Sequence, residues 1–400
     1  MMEPYKLTAS ETLAEIKSGS LTVEQYAQSL LSRIVERDDA VRAWVHLDPE
    51  YVMKQARALD EIPPAQRGPL HGVAVAIKDI FYTKDMPTQY NSPIYEGDMP
   101  QVDAASIIIL RKAGALILGK TTTTEFASTA GGNKTRNAHS PKRTPGGSSS
   151  GSAAAVADFQ VPIALGSQTG GSTIRPGSFN GIYSFKPTWN SISREGQKFY
   201  SLIYDTIGFF ARSVEDLDLL ADVFKLKDDG QPNDAFTIKG AKFAVIKTPI
   251  WPKAGDGTKA ALNKGVELLR SHDAEVEEIE LPSEFENFEE WYQNVLHSEG
   301  RVTFLPEYTI AREKLSDFLI GHVENIKKEI SRAAQLEAFD AIAALRPKID
   351  ALAKKYAAIL TPSVVDEAPL GLESTGSAAF NSMWTVSSPE WSASLRIVES

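Results

Sequence analysis

The sequence predicts an α/β fold, a central mixed and twisted β-sheet covered by helices on both faces. Three observations point there. From about Gly72, short apolar runs alternate with helical patterns, the rhythm of strand–helix–strand units. The first 68 residues instead read as helices, opened by two capping boxes. Two Gly-Gly-Ser tripeptides, ending at Ser148 and Ser172, flank a small-residue helix pattern and an apolar strand pattern.

The elements follow in order. Thr8-Ala9-Ser10-Glu11 and Thr22-Val23-Glu24-Gln25 each let a threonine accept from a first-turn N–H. Leu21 and Tyr26 stand at the positions of a hydrophobic staple, and Leu30, Leu31, Ile34 and Val35 form an apolar stripe expected to pack in a core. Pro63, Pro64 and Gly68 end this layer. Val73–Ile77 is a short buried-strand candidate that delivers Lys78 at its C-terminal end. Asp103 is expected to cap a helix through Lys112, with Gly114 just past it and the apolar run Ala115–Leu118 next. Helix Gly151–Asp158 and strands Val161–Leu165 and Ile182–Phe185 continue the series.

Ser213 opens a helix from Val214 to Phe224, and Lys227–Lys239 reads as a polar surface connection. A second set follows: strand Phe243–Lys247, helix Thr258–Ser271 and strand Ala274–Leu281. Glu284–Tyr356 is rich in helix formers, and Ala357–Leu360 is one more strand. In such sheets ligands bind outside the carboxyl ends of the strands, where Lys78 and Ser172 both fall.

Composition narrows the function classes. Hydrophobic content of 42% and charged content of 24% are those of an ordinary globular protein. A net charge of −10 without a Lys/Arg run argues against a nucleic-acid partner. The absence of cysteine excludes thiolate metal sites and a cysteine nucleophile. The six histidines show no metal-ligand spacing, and His71 reads as a surface residue or a support behind the site. No run of about 18 apolar residues suggests a membrane span, and the N-terminus lacks a signal-peptide pattern, so a cytoplasmic protein is expected.

The chemistry lies in the two serine loops and one lysine. In Gln168-Thr169-Gly170-Gly171-Ser172, consecutive glycines let backbone N–H groups converge on one point. Donors aimed at a tetrahedral oxyanion contribute roughly 3–4 kcal/mol each. Taken alone, the loop is equally a tight turn with a capping serine. Ser148, 24 residues earlier, stands at a helix entrance, where the commonest role is an N-cap. A lysine of ordinary pKa, about 10.4, is neutral in roughly one molecule per 2,500 at pH 7. Burial at the end of an apolar strand lowers that pKa and frees Lys78 as a base, with Asp79 opposing the shift. Gly147-Ser148-Ser149-Ser150-Gly151 also fits a nucleophile elbow on Ser149, but no strand pattern precedes it, since Asn137–Gly147 is polar and holds Pro141 and Pro145.

Together these motifs, HGVAVAIKD with Lys78 and TPGGSSSGS…SQTGGSTIRP, resemble the amidase signature family of serine hydrolases, over about Leu7 to Thr385. The resemblance implies an amidohydrolase that cleaves a carboxamide of a small molecule without cofactor or metal. It assigns Ser172 as nucleophile and the N–H groups of Thr169, Gly170, Gly171 and Ser172 as oxyanion hole. Ser148, on a cis peptide with Gly147, is the bridging serine, and Lys78 the base; Ser149 and Ser150 are loop-stabilising donors. Arg175 departs from the commonest pattern, standing three rather than two residues after the nucleophile, and Gln168 replaces a frequent Asp. This version is similar to malonamidase-type members. It implies a bidentate contact between Arg175 and an acidic group of the substrate; an arginine that braces the loop is the equal alternative. Residues around Tyr200–Tyr204 and Trp384 are expected to line the pocket.

The resemblance implies one domain over 1–400: a helical layer (1–68), a catalytic core (69–224), a second αβ and helical part (225–385) and an atypical, shortened end (386–400). Val386 onward departs from the family, and strands missing there would leave a sheet edge uncovered. Two further readings stay open: a protein like the A subunit of a glutamine-dependent amidotransferase, and a catalytically impaired relative.

Overall fold

The computed structural model describes residues 3–226, 236–326 and 329–387. The end from residue 388, and most of the expected surface connection (227–235), lie outside the described residues.

Helices α1 (Ala9–Ser18), α2 (Val23–Val41) and α3 (Pro49–Asp60) form the N-terminal layer, with strand β1 (Trp44–His46) between the last two. Both expected capping boxes are reciprocal, Thr8 with Glu11 and Thr22 with Gln25. The stripe on α2 buries Leu30, Leu31 and Ile34, whereas Val35 is 81% exposed and belongs to the outer face. The core continues with β2 (Ala74–Lys78), α4 (Ala105–Lys112), β3 (Leu116–Thr121), α5 (Ser150–Ala157), β4 (Ile163–Gln168), α6 (Ile174–Phe179), β5 (Tyr183–Phe185), β6 (Thr206–Ala211) and α7 (Val214–Val223). Next come β7 (Lys242–Lys247), α8 (Asp256–Ser271) and β8 (Glu275–Glu280). Four helices follow: α9 (Phe288–Thr303), α10 (Leu305–Ala311), α11 (Asp317–Val323) and α12 (Arg332–Ala353). Strand β9 (Ala358–Leu360) and helix α13 (Ala379–Ser387) close the series.

Six strands make the central sheet in the order β1-β3-β2-β4-β6-β5. The β3-β2-β4 centre is parallel, and β1, β6 and β5 join antiparallel, so the sheet is mixed as expected. The second set of strands forms a separate parallel sheet, β8-β7-β9. Alternation along each central strand builds two cores. Val75, Ile77, Ile163, Leu165, Ile207 and Phe209 pack on one face with residues of α4, α7, α9 and α12. Ala74, Ala76, Ala164 and Phe210 pack on the other with α2 and α5. Every residue of α5 is buried, and its run of Ala and Ser lets it lie close on the alanines of β2 and β4.

Two expectations are corrected. Ala104, not Asp103, precedes α4, and no side chain caps it; Asp103 accepts from the Lys84 N–H and pairs with Arg111 instead. His71 is buried rather than superficial, and burial lowers its pKa. Strand β6 has no counterpart among the expected elements, although it bonds along the whole of β4. Its apolar run is broken by Gly208, where a Cβ would fall 2.2 Å from Thr173 Oγ1.

One irregularity sets the facing of two buried lysines. Between β2 and β3, Val75 faces Ile117 but Ala76 faces Gly119, so Leu118 is an extra residue. The bulge reverses the facing of the rest of β3. Lys120 lies opposite Ile77 and Thr121 opposite Lys78, placing the two lysines on opposite faces of the sheet.

Candidate active site

Lys78 ends β2 on the α5 face, continuing the alternation of Ala74 and Ala76. It is wholly buried. Its Nζ donates to Ser148 Oγ at 2.7 Å and Ser167 Oγ at 2.8 Å, and it forms no ion pair among the described residues. Burial holds its pKa well below the ordinary lysine value; the buried charge of Asp205 pulls it up, and Arg175 pushes it further down. Asp79, expected to oppose the shift, faces away. It pairs with Lys120 at 3.1 Å, and Lys120 Nζ also donates to Phe81 O, Pro87 O and Thr88 Oγ1. One buried lysine is thus an ion-paired structural residue, while the other meets only hydroxyls.

Ser148 does not cap α5. The helix begins at Ser150, the residue before it is Ser149, and no side chain caps its first turn. The Gly147–Ser148 peptide is cis. Ser150 Oγ donates to Gly146 O, and Ser149 Oγ exchanges hydrogen bonds with the backbone of Ser167, which makes both of them loop donors. The polar segment before Ser149 forms no strand, so the nucleophile-elbow reading has no scaffold.

Ser172 follows the end of β4 and is the half-exposed member of a loop whose glycines are buried. Its carbonyl accepts from Ser149 N–H at 3.3 Å, which joins the two serine loops. Among the described residues Ser172 Oγ has no hydrogen-bond partner; the structure links Ser148 to Lys78 directly and leaves the Ser172–Ser148 link unmade. The N–H groups of Thr169, Gly170, Gly171 and Ser172 likewise meet no acceptor there. The glycines are required by close approach. A Cβ on Gly170 would lie 2.7 Å from Tyr292 Oη, and one on Gly171 2.4 Å from Asn381 Oδ1.

Residues 25–389 match the family model described as Amidase. The chain belongs to the amidase family. It is 38% identical over 309 residues to the A subunit of the glutamyl-tRNA(Gln) amidotransferase of Streptomyces coelicolor, covering 71% of this chain and 61% of that one. The chain thus spans less than two thirds of the length of the curated relatives it matches. Among solved structures it is similar to a crystal structure of an amidase, with a TM-score of 0.83 and 28% identity over 96% of this chain and 89% of that one. It is also similar to the A subunit of the glutamyl-tRNA(Gln) amidotransferase of Thermotoga maritima, with a TM-score of 0.75 and 26% identity over 96% and 86%.

Within this family member, the glutamine at position 168 has a physical reading. Its Oε1 accepts from Thr173 and Ile174 N–H at 2.9 and 3.0 Å, as a carboxylate would. Its amide nitrogen donates to Thr385 Oγ1 at 2.9 Å, and that hydroxyl also meets Gly170 O. Gln168 therefore ties the Gly-Gly-Ser172 loop to α13 without burying a charge. Arg175 is buried, Nε on Thr375 O at 2.8 Å and Nη2 on Gly147 O and Thr375 Oγ1. Only Nη1 lacks a partner, and burial lowers the guanidinium to about 10. The fork is largely spent on bracing the two loops, so a fully bidentate contact is not on offer. Nη1 remains, 2.9 Å from where a Gly171 Cβ would stand.

Ser167 and Asp205 join the site without any signal of their own in the sequence. Ser167 opens the SQTGGSTIRP segment but is given no role there, and Asp205 precedes a strand that composition hides. Tyr200 and Tyr204, expected at the pocket, are buried in aromatic packing with Phe304, His322 and Tyr292. Among the described residues no helix is long and apolar enough to cross a membrane.

Proposed function

We propose that this amidase hydrolyses a carboxamide of a small molecule through an acyl-enzyme on Ser172. The observation that carries the reading is Lys78, a buried lysine whose hydrogen-bond partners are Ser148 and Ser167 rather than a carboxylate. A lysine held as a free amine accepts a proton from Ser148 as Ser148 takes one from Ser172 Oγ, which attacks the carbonyl carbon. The unspent N–H groups of Thr169, Gly170, Gly171 and Ser172 receive the oxyanion. On collapse the C–N bond breaks, and the proton returns through Ser148 to the leaving amine or ammonia. Water then cleaves the ester by the same relay. Labelling of folded protein with a fluorophosphonate, mapped by mass spectrometry, tests this directly. A single adduct on Ser172, absent from Ser172→Ala, is expected; labelling at Ser149 or no adduct at all would overturn it, the latter favouring an impaired relative.

Arg175 supplies the specificity in this reading. Its unpartnered Nη1 is a buried cationic donor, suited to an acidic group on the substrate. For Arg175→Ala, KM for an acidic amide is expected to rise about 10- to 100-fold beyond that for a neutral amide of the same size. Equal losses for both substrates would leave Arg175 as a brace only.

A second reading rests on the curated relatives, which carry the name of one component of an amidotransferase. It predicts a partner chain and glutamine as ammonia donor. Affinity purification from the native cell, followed by a glutaminase assay, separates the two. A stoichiometric partner and partner-dependent glutamine cleavage would replace the small-molecule reading.

A further inference from the structure

Strand pairing brings an acidic residue to the nucleophile loop. The β4–β6 ladder ends with Gln168 opposite Thr206. The strands are antiparallel, so the next residues outward, Thr169 and Asp205, face each other. Thr169 Oγ1 donates to Asp205 Oδ1, and Tyr200 N–H donates to Oδ2 at 2.7 Å. Asp205 is 3% exposed and makes no ion pair among the described residues. Arg194 approaches only as far as the carbonyls of Leu202 and Asp205, at 2.8 and 2.9 Å. A buried carboxylate held by neutral donors alone costs stability, which points to a use.

We propose that Asp205 is a positioning residue for the amidase reaction: through Thr169 it sets the first N–H of the oxyanion loop, and it supplies a buried negative charge that acts on Lys78. This rests on the reading of Ser172 and Lys78 as nucleophile and base. The first effect rests on a hydrogen bond, the second on charge. Thr169 contributes the backbone that leads into the two glycines, and its hydroxyl is held on Asp205. Around the pair stand Lys78, Arg175, Arg194, Glu299, Tyr200 and Tyr292; Asp205 pulls Lys78 and Glu299 up, and Arg194 pulls Asp205 down. Burial nevertheless lifts Asp205 to about 6, so it is ionised above that pH.

The test is the rate of fluorophosphonate labelling at Ser172 against pH, for wild type, Asp205→Asn and Thr169→Val, with folding checked by thermal melting. Removing the negative charge favours the free amine, so the acid-side midpoint of Asp205→Asn is expected at lower pH than in wild type. Its plateau rate should fall about tenfold, because the Asn amide has one acceptor oxygen and cannot take both the Tyr200 N–H and the Thr169 hydroxyl as the carboxylate does. Thr169→Val keeps the charge; it should label slower without that downward shift. A slower Asp205→Asn with an unmoved midpoint would reduce Asp205 to a structural role and sink the proposal. If Asp205→Asn does not fold, Thr169→Val decides, and wild-type rates there would overturn it. Wild-type protein that is folded but never labelled would instead sink the parent reading, and this one with it.

Discussion

Replacing Lys78 with methionine is expected to lower kcat/KM by about 100- to 10,000-fold and leave the protein folded. Lys78 is wholly buried at the end of β2, and methionine keeps most of its side-chain volume. Only the hydroxyls of Ser148 and Ser167 lose a donor, and a hydroxyl left without a donor still has its own O–H to give. Stability should also change its pH dependence. The folded state holds Lys78 below its unfolded pKa, so between those two values the unfolded chain binds the extra proton. Stability contributed by this site therefore falls as pH drops through that window and recovers toward alkaline pH. Lys78→Met removes the slope. Denaturant melts at neutral and alkaline pH measure it, and a variant that loses stability equally at both would show that Lys78 is an ordinary structural cation.

The opposite outcome is expected at Lys120. Asp79→Ala leaves Lys120, wholly buried, without its carboxylate and should cost about 3–5 kcal/mol of stability. Adding Lys120→Met to Asp79→Ala should restore much of the loss, since the pair's desolvation vanishes with its attraction. Denaturant unfolding of the single and double variants reads both. A loss below about 1 kcal/mol for Asp79→Ala would mean that the three oxygen acceptors around Lys120 suffice without Asp79.

Much of the fold and the core of the candidate site were legible in sequence, because their signals are local. Capping boxes specify helix starts within four residues, and both are formed by the expected side chains. The Ser172 loop could be placed because two glycines after a strand pattern allow the turn and close backbone approach that a Cβ would block. Strand β6 escaped because Gly208 interrupts its apolar run, and the need for that glycine lies across the sheet, at Thr173. Asp205 escaped with it: an acid before an unseen strand looks like a surface turn. Arg175 was legible as a functional arginine, but its fork is taken up by Gly147 and Thr375, the latter 200 positions away in the chain.

The two lysines mark the boundary between what is local and what is tertiary. AVAIK and LILGK are alike in sequence, each an apolar run that ends in lysine. Local pattern alone makes each of them a buried strand that carries its lysine toward the carboxyl end. It does not say which lysine meets the serines and which an aspartate. That was decided by Leu118, the extra residue between β2 and β3, which turns Lys120 to the opposite face from Lys78. Strand side chains alternate with a period of two, so a shift of one residue exchanges faces, and only pairing with a neighbouring strand sets where the shift occurs.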